Sequence, residues 1–329
     1  MTTFSVSAGI PAVIRTVTAE EIAAYRGAVR AELPVTKDEL ASPVHAFVLA
    51  HTVAERTVAA LTADEPGPVS VVHLSQDIRG HRLVRAGERV TVRLEVLGAR
   101  REARGTRVAL RSRLTGDGAE GTNGVAGAGG AGEPEPFAEL ITSALLVGAT
   151  ALEPFGDIAA GAAAPAPAGA GEPATVVHEP TVEWIRRYAH ASGDENPIHL
   201  DEEAARAAGF DSVIAHGMSV VALAVEEITD RYADGDAARV LGIGGRFSAP
   251  VAPGEPLRFD LQPDAAGRVV RFTCRTPAGP AVKSGWVELA PASVQAPAPT
   301  PVQAEALAQA PAPAQEISNT NRDGVGDDD

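Results

Sequence analysis

The distribution of apolar residues along the chain divides it into two ordered blocks, about residues 10 to 152 and 176 to 290. Each block begins with a helical stretch that carries a tyrosine, "EEIAAYRGAV" with Tyr25 and "VEWIRRYAHA" with Tyr188. A longer helix that is apolar nearly all round follows, "HAFVLAHTVAERTVAAL" in block one and "AHGMSVVALAVEEI" in block two. Because such a helix is typical of a buried position, each block is expected to fold around its own central helix.

Segments that alternate in polarity or are rich in β-branched residues follow the long helix in both blocks and predict β-strands. They are "SVVHLSQDI", "ERVTVRLEVL", "TRVALRSRL" and "FAELITSALLVG" in block one, and "RVLGIGGRF", "PLRFDLQP", "RVVRFTC" and "AVKSGWVEL" in block two. The best internal match pairs Gly87-Glu88 with Gly254-Glu255, an offset of 167 residues. The sequence therefore indicates a duplicated α+β unit, in which an antiparallel sheet wraps around a helix and the two copies pack together.

Three segments rich in Gly, Ala and Pro interrupt or follow these blocks, and they hold too few long apolar side chains to build a core. The last of them carries six acidic residues and one basic residue. We expect a first domain at 1–152 with a flexible loop at 115–136, a linker at 153–175, a second domain at 176–290, and a disordered acidic tail at 291–329.

The net charge and the cysteine content limit which partners and which cellular compartment are expected for this protein. The 329 residues include 28 Lys and Arg against 43 Asp and Glu, a net charge of -15 that disfavours nonspecific binding to nucleic acid or to an anionic membrane surface. With Cys274 as the single cysteine, no intrachain disulfide can form, which fits a reducing cytoplasm. We expect a soluble cytoplasmic protein, since neither a leader peptide nor an apolar run of about 20 residues is visible.

The stretch "YAHASGDENPIHLD" concentrates polar chemistry between Asp194 and His199. Side chains five positions apart diverge on a helix or a strand, but the turn-forming residues between them allow convergence. An Asp and a neutral His that converge between apolar walls can exchange protons with a substrate. Alternatively, Asp194 caps a helix that begins near Asp201 and His199 is only a satisfied polar residue; from residue types alone, this ordinary turn is the more frequent outcome.

The run Gly-Asp-x-Asn-Pro-x-His at Gly193 to His199, with Tyr188 and Ser192 before it and "AHGM" at Ala215 to Met218 after it, resembles the motif of the MaoC-like, R-specific enoyl-CoA hydratase (hydratase 2) family. The resemblance implies two hot-dog domains, each an antiparallel sheet wrapped around a long helix. It also implies reversible hydration of a trans-2-enoyl thioester to an (R)-3-hydroxyacyl thioester, with Asp194 and His199 acting on one water. An acyl-CoA or an acyl carrier protein thioester is the expected substrate, and no cofactor is expected.

Four residues near Asp194 and His199 are expected to support the reaction. Negative charge that develops on a thioester oxygen needs preorganised donors, and the start of the helix in "HGMSVVALAVEEI" supplies them. We predict the amide of Gly217 as the main oxyanion donor, unless this glycine serves only the helix entry. His216 either contacts the substrate or caps the helix. Asn196, together with Ser192, is expected to orient Asp194 or its turn.

Block one lacks the Gly-Asp-x-Asn-Pro-x-His run and is interpreted as a degenerate copy that keeps packing without chemistry. One active site per chain follows, in a monomeric pseudo-dimer or a homodimer. The long helix of block one would form a wall of the acyl pocket, with Phe47 and Leu49 as candidate members. Noncatalytic acyl-thioester binding and a hot-dog thioesterase remain the alternative functions, although the chain has no Gly-x-Ser-x-Gly elbow.

The remaining candidates receive ordinary interpretations. Trp184 and Tyr188 are expected in the core, and His190 on the solvated side of its helix. "LGIGGRF" is interpreted as a strand with close approaches and not as a phosphate loop, because no helix follows it. Four arginines could meet CoA phosphates but are usually solvated: Arg186, Arg187, Arg231 and Arg246. Five histidines are scattered along the chain without metal-ligand spacing, so no metal is predicted: His45, His51, His73, His81 and His178.

Overall fold

The computed structural model describes residues 10–34, 40–116, 134–159 and 164–292. The N-terminal half contains β1 (Val13–Thr16), α1 (Ala19–Val29), α2 (His45–Leu61), β2 (Ser70–Gly80), β3 (Arg89–Glu102), β4 (Gly105–Gly116), β5 (Ala138–Val147) and β6 (Phe155–Gly156). The C-terminal half contains β7 (Ala174–His178), α3 (Val182–Ser192), α4 (Glu202–Ala207), α5 (Gly217–Tyr232), β8 (Val240–Phe247), β9 (Leu257–Pro263), β10 (Val269–Thr276) and β11 (Gly279–Leu289). The predicted helices and strands are all present.

The strands form one antiparallel sheet in the order β1-β3-β4-β5-β2-β8-β11-β10-β9-β7, and β6 pairs with β3. The β2–β8 pair lies at the centre of this order. Equivalent strands of the two halves follow in the same sequence from the centre to each edge, so each half contributes one copy of a single topology. Helix α2 packs on β3, β4 and β5, and helix α5 packs on β8, β10 and β11. Apolar side chains of both helices are buried there, which explains why these helices carry little polar surface.

Equivalent residues of the two halves meet each other, as residues on a twofold axis do. Asp77 of β2 pairs with Gly244 of β8, and these positions are separated by the offset of 167 residues found in the sequence. The hydroxyl groups of Tyr25 and Tyr188 lie 3.5 Å apart, and both rings are fully buried. Thr18 and Thr181 cap α1 and α3 in the same way. The two halves are therefore related by an internal pseudo-twofold axis.

Three short strands were not predicted, because each has too few residues to show a period. Strands β1 and β7 add to the outer edges of the sheet, and β6 lies within the stretch expected to be linker. Strand β7 begins at Ala174, so its first two residues lie within the predicted linker at 153–175. Residues 117–133 of the expected loop and 293–329 of the expected tail lie outside the described residues. None of the helices in the described ranges combines the length and apolar character needed to cross a bilayer.

A buried ion network joins α1 of one half to α5 of the other. Arg30 donates to Glu226 at 2.8 Å and to Asp230 at 2.7 Å, and the Glu226 side chain is fully buried. Removing one partner from a buried network leaves a charge without compensation.

We expect Glu226→Ala to lower the free energy of unfolding by about 3–5 kcal/mol, measured by urea denaturation. The matched control is Glu183→Ala, which breaks an exposed pair with Arg187 and should cost less than about 1 kcal/mol. Equal and small losses in both variants would contradict this role for Glu226.

Candidate active site

The chain turns sharply after α3, and this turn carries the predicted pair. Gly193 ends α3 in the left-handed conformation, with a φ of 73°, where a β-carbon would be strained. A short 3-10 turn at Pro197–His199 follows. The next helix, α4, is capped by the side chain of Asp201, which accepts from the amide of Ala204 at 2.7 Å. Asp194 is therefore not a helix cap, and its carboxylate is left for other contacts.

Local hydrogen bonds orient Asp194. The Ser192 hydroxyl accepts from the Asp194 amide at 3.2 Å, and the backbone amide of Asn196 donates to the Asp194 carboxylate at 3.4 Å. The side chain of Asn196 instead accepts from the amide of Ile198 at 3.3 Å and so stabilises the turn. The Ser192 side chain thus contacts the backbone of Asp194, and only the backbone of Asn196 contacts the Asp194 carboxylate. In these hydrogen bonds neither side chain reaches the carboxylate.

His199 lies beside Asp194 with a defined tautomer. Its Nδ1 lies 2.7 Å from the carbonyl oxygen of Ile214. Since a carbonyl only accepts, Nδ1 must donate, and the neutral ring then carries its free lone pair on Nε2. Burial lowers the pKa of His199, which favours this neutral form. One ring nitrogen of His199, one of His216 and a carboxylate oxygen of Asp194 all lie within 4.8 Å of one another.

His216 packs against the pair and does not cap α5. Its ring stacks on that of His199 with 3.7 Å between centroids, and its Nε2 donates to the carbonyl oxygen of Asp194 at 2.9 Å. The side chain makes no capping bond at the start of α5. Burial, together with the neighbouring His199, lowers the pKa of His216 to about 4. His216 is therefore a ring that favours the neutral form and ties the turn of Asp194 to the start of α5.

These groups line one side of a cavity of about 1050 Å³ that both halves build. Phe47, Ala50 and Val58 of α2 line it from the N-terminal half, and Met218 and Val251 from the C-terminal half. Phe47 lines this cavity, as the prediction for the acyl pocket requires, whereas Leu49 does not line it. Leu49 is buried in the core at 1% exposure because it lies two positions from Phe47, on the other side of the helix.

Gly217 begins α5 and lines the same cavity. The first amides of a helix have no partner within it, so the amide of Gly217 is available to a ligand. A β-carbon on Gly217 would lie 2.7 Å from the ring of Phe247. The missing side chain of Gly217 therefore lets the ring of Phe247 lie close to the backbone. Phe247 thus adjoins the amide that we predicted as the oxyanion donor.

His51 and Glu55 of α2 also reach the site, and sequence reasoning missed both. The Nε2 of His51 lies 3.7 Å from Asp194 and 3.4 Å from Glu55. His73 of β2 lines the cavity too and packs against Phe247 in a tilted arrangement, with 4.7 Å between centroids. A signal existed: His51 follows Phe47 by four positions and Glu55 follows by four more, so all three share one helical face.

The fold thus creates two groupings of metal-ligand type that the spacing along the chain did not predict: Asp194 with His199 and His216, and Asp194 with His51 and Glu55. The first has the donors of a divalent-metal site. However, the rings of His199 and His216 are stacked on each other, and His199 already uses Nδ1 as a donor to the carbonyl oxygen of Ile214. Nε2 of His216 also carries the proton that it donates to Asp194. The geometry favours proton transfer over metal binding.

The pseudo-twofold axis places a counterpart of this site at the start of α2, beside the end of β2 and the beginning of β8. The cavity there measures about 20 Å³, enough for roughly one water molecule. His45 is the counterpart of His216, because His45-Ala46 stands where the C-terminal half has His216-Gly217, and each ring packs against the tyrosine of its own half. The ring of His45 is buried against Tyr25, with 5.4 Å between centroids, and burial lowers its pKa to about 4. Ala46 also lines this small cavity and carries a methyl group where the other half has Gly217.

Comparison with known proteins agrees with the turn and with the fold. The family model described as "MaoC like domain" matches residues 169–273, which include the turn from Gly193 to His199 and the start of α5. The chain carries a MaoC-like dehydratase domain. The resemblance seen at Gly193 to His199 is therefore confirmed. The MaoC-like domain coincides with most of the C-terminal half, and the family match does not extend to the N-terminal half.

Two curated relatives match parts of the chain. The chain is 40% identical to enoyl-CoA hydratase ChsH3 of Mycobacterium tuberculosis over 100 residues, which are 30% of this chain and 35% of that protein. It is 30% identical to 3-hydroxyacyl-thioester dehydratase Y of the same organism over 212 residues, 62% of this chain and 65% of the relative. The chain thus spans about a third of the first relative's own length, and the longer match reaches beyond the MaoC-like domain.

Solved structures share the fold over nearly the whole described chain. A MaoC-like dehydratase from Phytophthora capsici superimposes with a TM-score of 0.66 at 18% identity, covering 87% of this chain and 97% of that one. A conserved Mycobacterium tuberculosis protein described as a double hot-dog fold gives a TM-score of 0.51 at 17% identity, covering 85% and 93%. The predicted α+β arrangement of two hot-dog units is confirmed.

Proposed function

We propose that this protein is a hydro-lyase that adds water to a trans-2-enoyl thioester to give an (R)-3-hydroxyacyl thioester, or removes it from the latter. The observation that carries the proposal is the convergence of Asp194 and His199 at the wall of a large, mainly apolar cavity beside a helix N-terminus. The names of the relatives support the same reaction class. Acyl-CoA or acyl carrier protein thioesters are the proposed substrates.

The pair is suited to hold one water. Asp194 as a carboxylate and Nε2 of His199 are both acceptors, so one water can donate a hydrogen to each and turn its oxygen lone pair to the β-carbon. As the new carbon–oxygen bond forms, one acceptor takes a water proton, and that proton then passes to the α-carbon. Both groups end as they began, and dehydration runs the same steps in reverse.

Charge builds on the thioester oxygen when the β-carbon is attacked. The amide of Gly217 and the positive end of α5 are placed to stabilise that charge without reorganising, since they are fixed by the helix. His216 supports this arrangement by joining α5 to the turn of Asp194. Gly217 is thus the proposed oxyanion donor. His216 is proposed to fix the position of this donor relative to Asp194 and His199.

The chain would work with one site. The filled counterpart beside His45 leaves no room for an acyl group, whereas the open site draws its apolar wall from α2 of the other half. A fused second copy can therefore replace the partner subunit in building the acyl cavity. A monomer with one site, or a homodimer with two, is the proposed assembly.

The proposal is tested with purified full-length protein, crotonyl-CoA and a longer trans-2-enoyl-CoA. We expect the absorbance of the conjugated thioester to fall and 3-hydroxyacyl-CoA to appear, with chiral analysis giving the R isomer. Free thiol is measured in parallel. Release of free CoA would support a thioesterase instead, and binding of CoA esters or acyl carrier protein esters without turnover would support the noncatalytic alternative.

A further inference from the structure

The carboxylate of Asp194 has a neighbour from the other half of the chain. Nε2 of His51, on α2, lies 3.7 Å from Oδ2 of Asp194 and 3.4 Å from Oε1 of Glu55. The His51 and Asp194 side chains are only 15% and 19% exposed, so the charges are little screened by water. The ring of His51 is also held against Phe47, with 5.3 Å between centroids. This nitrogen therefore lies between two carboxylates at the edge of the cavity.

The charges around His51 differ from those around the other imidazoles of the site. Burial alone would lower the pKa of His51, but Glu55 and Asp194 outweigh it and raise the pKa. Burial, with the charge of His51 beside it, instead lowers the pKa of His73 to about 4. His199 and His216 also face His51 and have lowered pKa values. The cluster thus favours a positive charge on His51 and the neutral form of the other three rings.

We propose that His51 is a positioning residue of this active site: its imidazolium holds Asp194 as a carboxylate directed at the catalytic water and keeps His199 as the neutral acceptor. The N-terminal half, which lost its own pair, then contributes to the chemistry as well as to the cavity wall. This inference rests on the proposed hydratase function. Glu55, which is half exposed, supports the charge on His51 from the solvent side.

The sign of the effect follows from the two acceptors. Burial alone would raise the pKa of Asp194, and the charges of His51, His216 and His199 lower it; of these three, His51 is the one whose own pKa is raised. Without the imidazolium, the pKa values of Asp194 and His199 should both rise. Because both groups must be deprotonated to hold the water, the acid limb of the kcat/KM profile should move to higher pH.

The experiment compares His51→Gln, Glu55→Gln and the parent in pH profiles of enoyl-CoA hydration. We expect the acid limb of His51→Gln to move up by about one pH unit, as for removal of an opposite charge within about 4–6 Å, with the plateau reduced far less than in an Asp194 variant. Glu55→Gln should move the limb in the same direction by less. His81→Gln, an exposed histidine of the same half, should leave the profile unchanged.

A second readout does not need turnover. The imidazole resonances of the eight histidines can be followed by NMR in the parent and in Asp194→Asn, and that substitution should lower the pKa of His51. An inactive parent would overturn the hydratase function while this titration still tests the contact. An active parent whose acid limb is the same in His51→Gln, or a His51 titration unchanged by Asp194→Asn, would overturn the role of His51.

Discussion

Replacing Asp194 with Asn is expected to lower kcat for enoyl-thioester hydration by about 10³-fold or more, the upper range for removal of a proton-transfer group. The amide keeps the shape of the side chain and can still accept from the amide of Asn196, so the turn should survive. It cannot accept a proton from water near neutral pH. Stopped-flow or steady-state loss of the conjugated thioester absorbance measures the effect.

His199 should show a loss of the same order, because each acceptor holds one hydrogen of the same water. His199→Ala removes the whole ring, whereas His199→Asn can keep a donor for the carbonyl of Ile214 and loses only Nε2. The matched control is Asp201→Asn, since Asp201 is an exposed cap of α4 and Asn caps a helix equally well. Activity of Asp194→Asn equal to that of Asp201→Asn would sink the mechanism.

The second large effect concerns the backbone amide of Gly217, which can be removed with proline. Proline is tolerated at the first position of a helix, and His216 before it already has a ψ of 134°, as a residue preceding proline requires. The ring of Phe247 must first be cleared, because a β-carbon at position 217 would lie 2.7 Å from it. The comparison is therefore made in Phe247→Ala, between Gly217→Ala and Gly217→Pro.

These two double variants differ mainly by one N–H group. We expect kcat of the proline variant to fall about 10²–10³-fold below that of the alanine variant, the usual cost of one oxyanion donor. The affinity for a saturated acyl-CoA serves as the control for blocked entry and should differ much less. Similar kcat values in the two double variants would show that the amide of Gly217 does not stabilise the transition state.

Much of this architecture could be predicted from the sequence because both copies of the repeat are recognisable in it. The offset of 167 residues between Gly87 and Gly254 places Asp77 opposite Gly244, and the structure pairs them. Tyr25 and Tyr188 were visible as repeated residues in repeated helices, and they meet at the axis. Long periodic elements are specified by local pattern, whereas β1, β6 and β7 are short edge pairings that depend on strands far away along the chain.

Only part of the site could be predicted, because some of its contacts join residues that are far apart along the chain. Asp194 and His199 share one local turn, so a local motif could indicate them. His51 is 143 residues from Asp194 along the chain and reaches it only because the two halves pack together. The small size of the counterpart cavity beside His45 likewise depends on packing. Sequence spacing cannot show which of two half-sites keeps its space.

The most direct test of the central claim is the stereochemistry of hydration in D2O. A single water held by Asp194 and His199 must deliver oxygen and deuterium to the same face of the double bond. The product from crotonyl-CoA is therefore predicted to be (R)-3-hydroxybutyryl-CoA with one deuterium at C2, on the face that received the hydroxyl group. NMR of the product gives the relative configuration. Anti addition, scrambling at C2, or an S product would contradict the account.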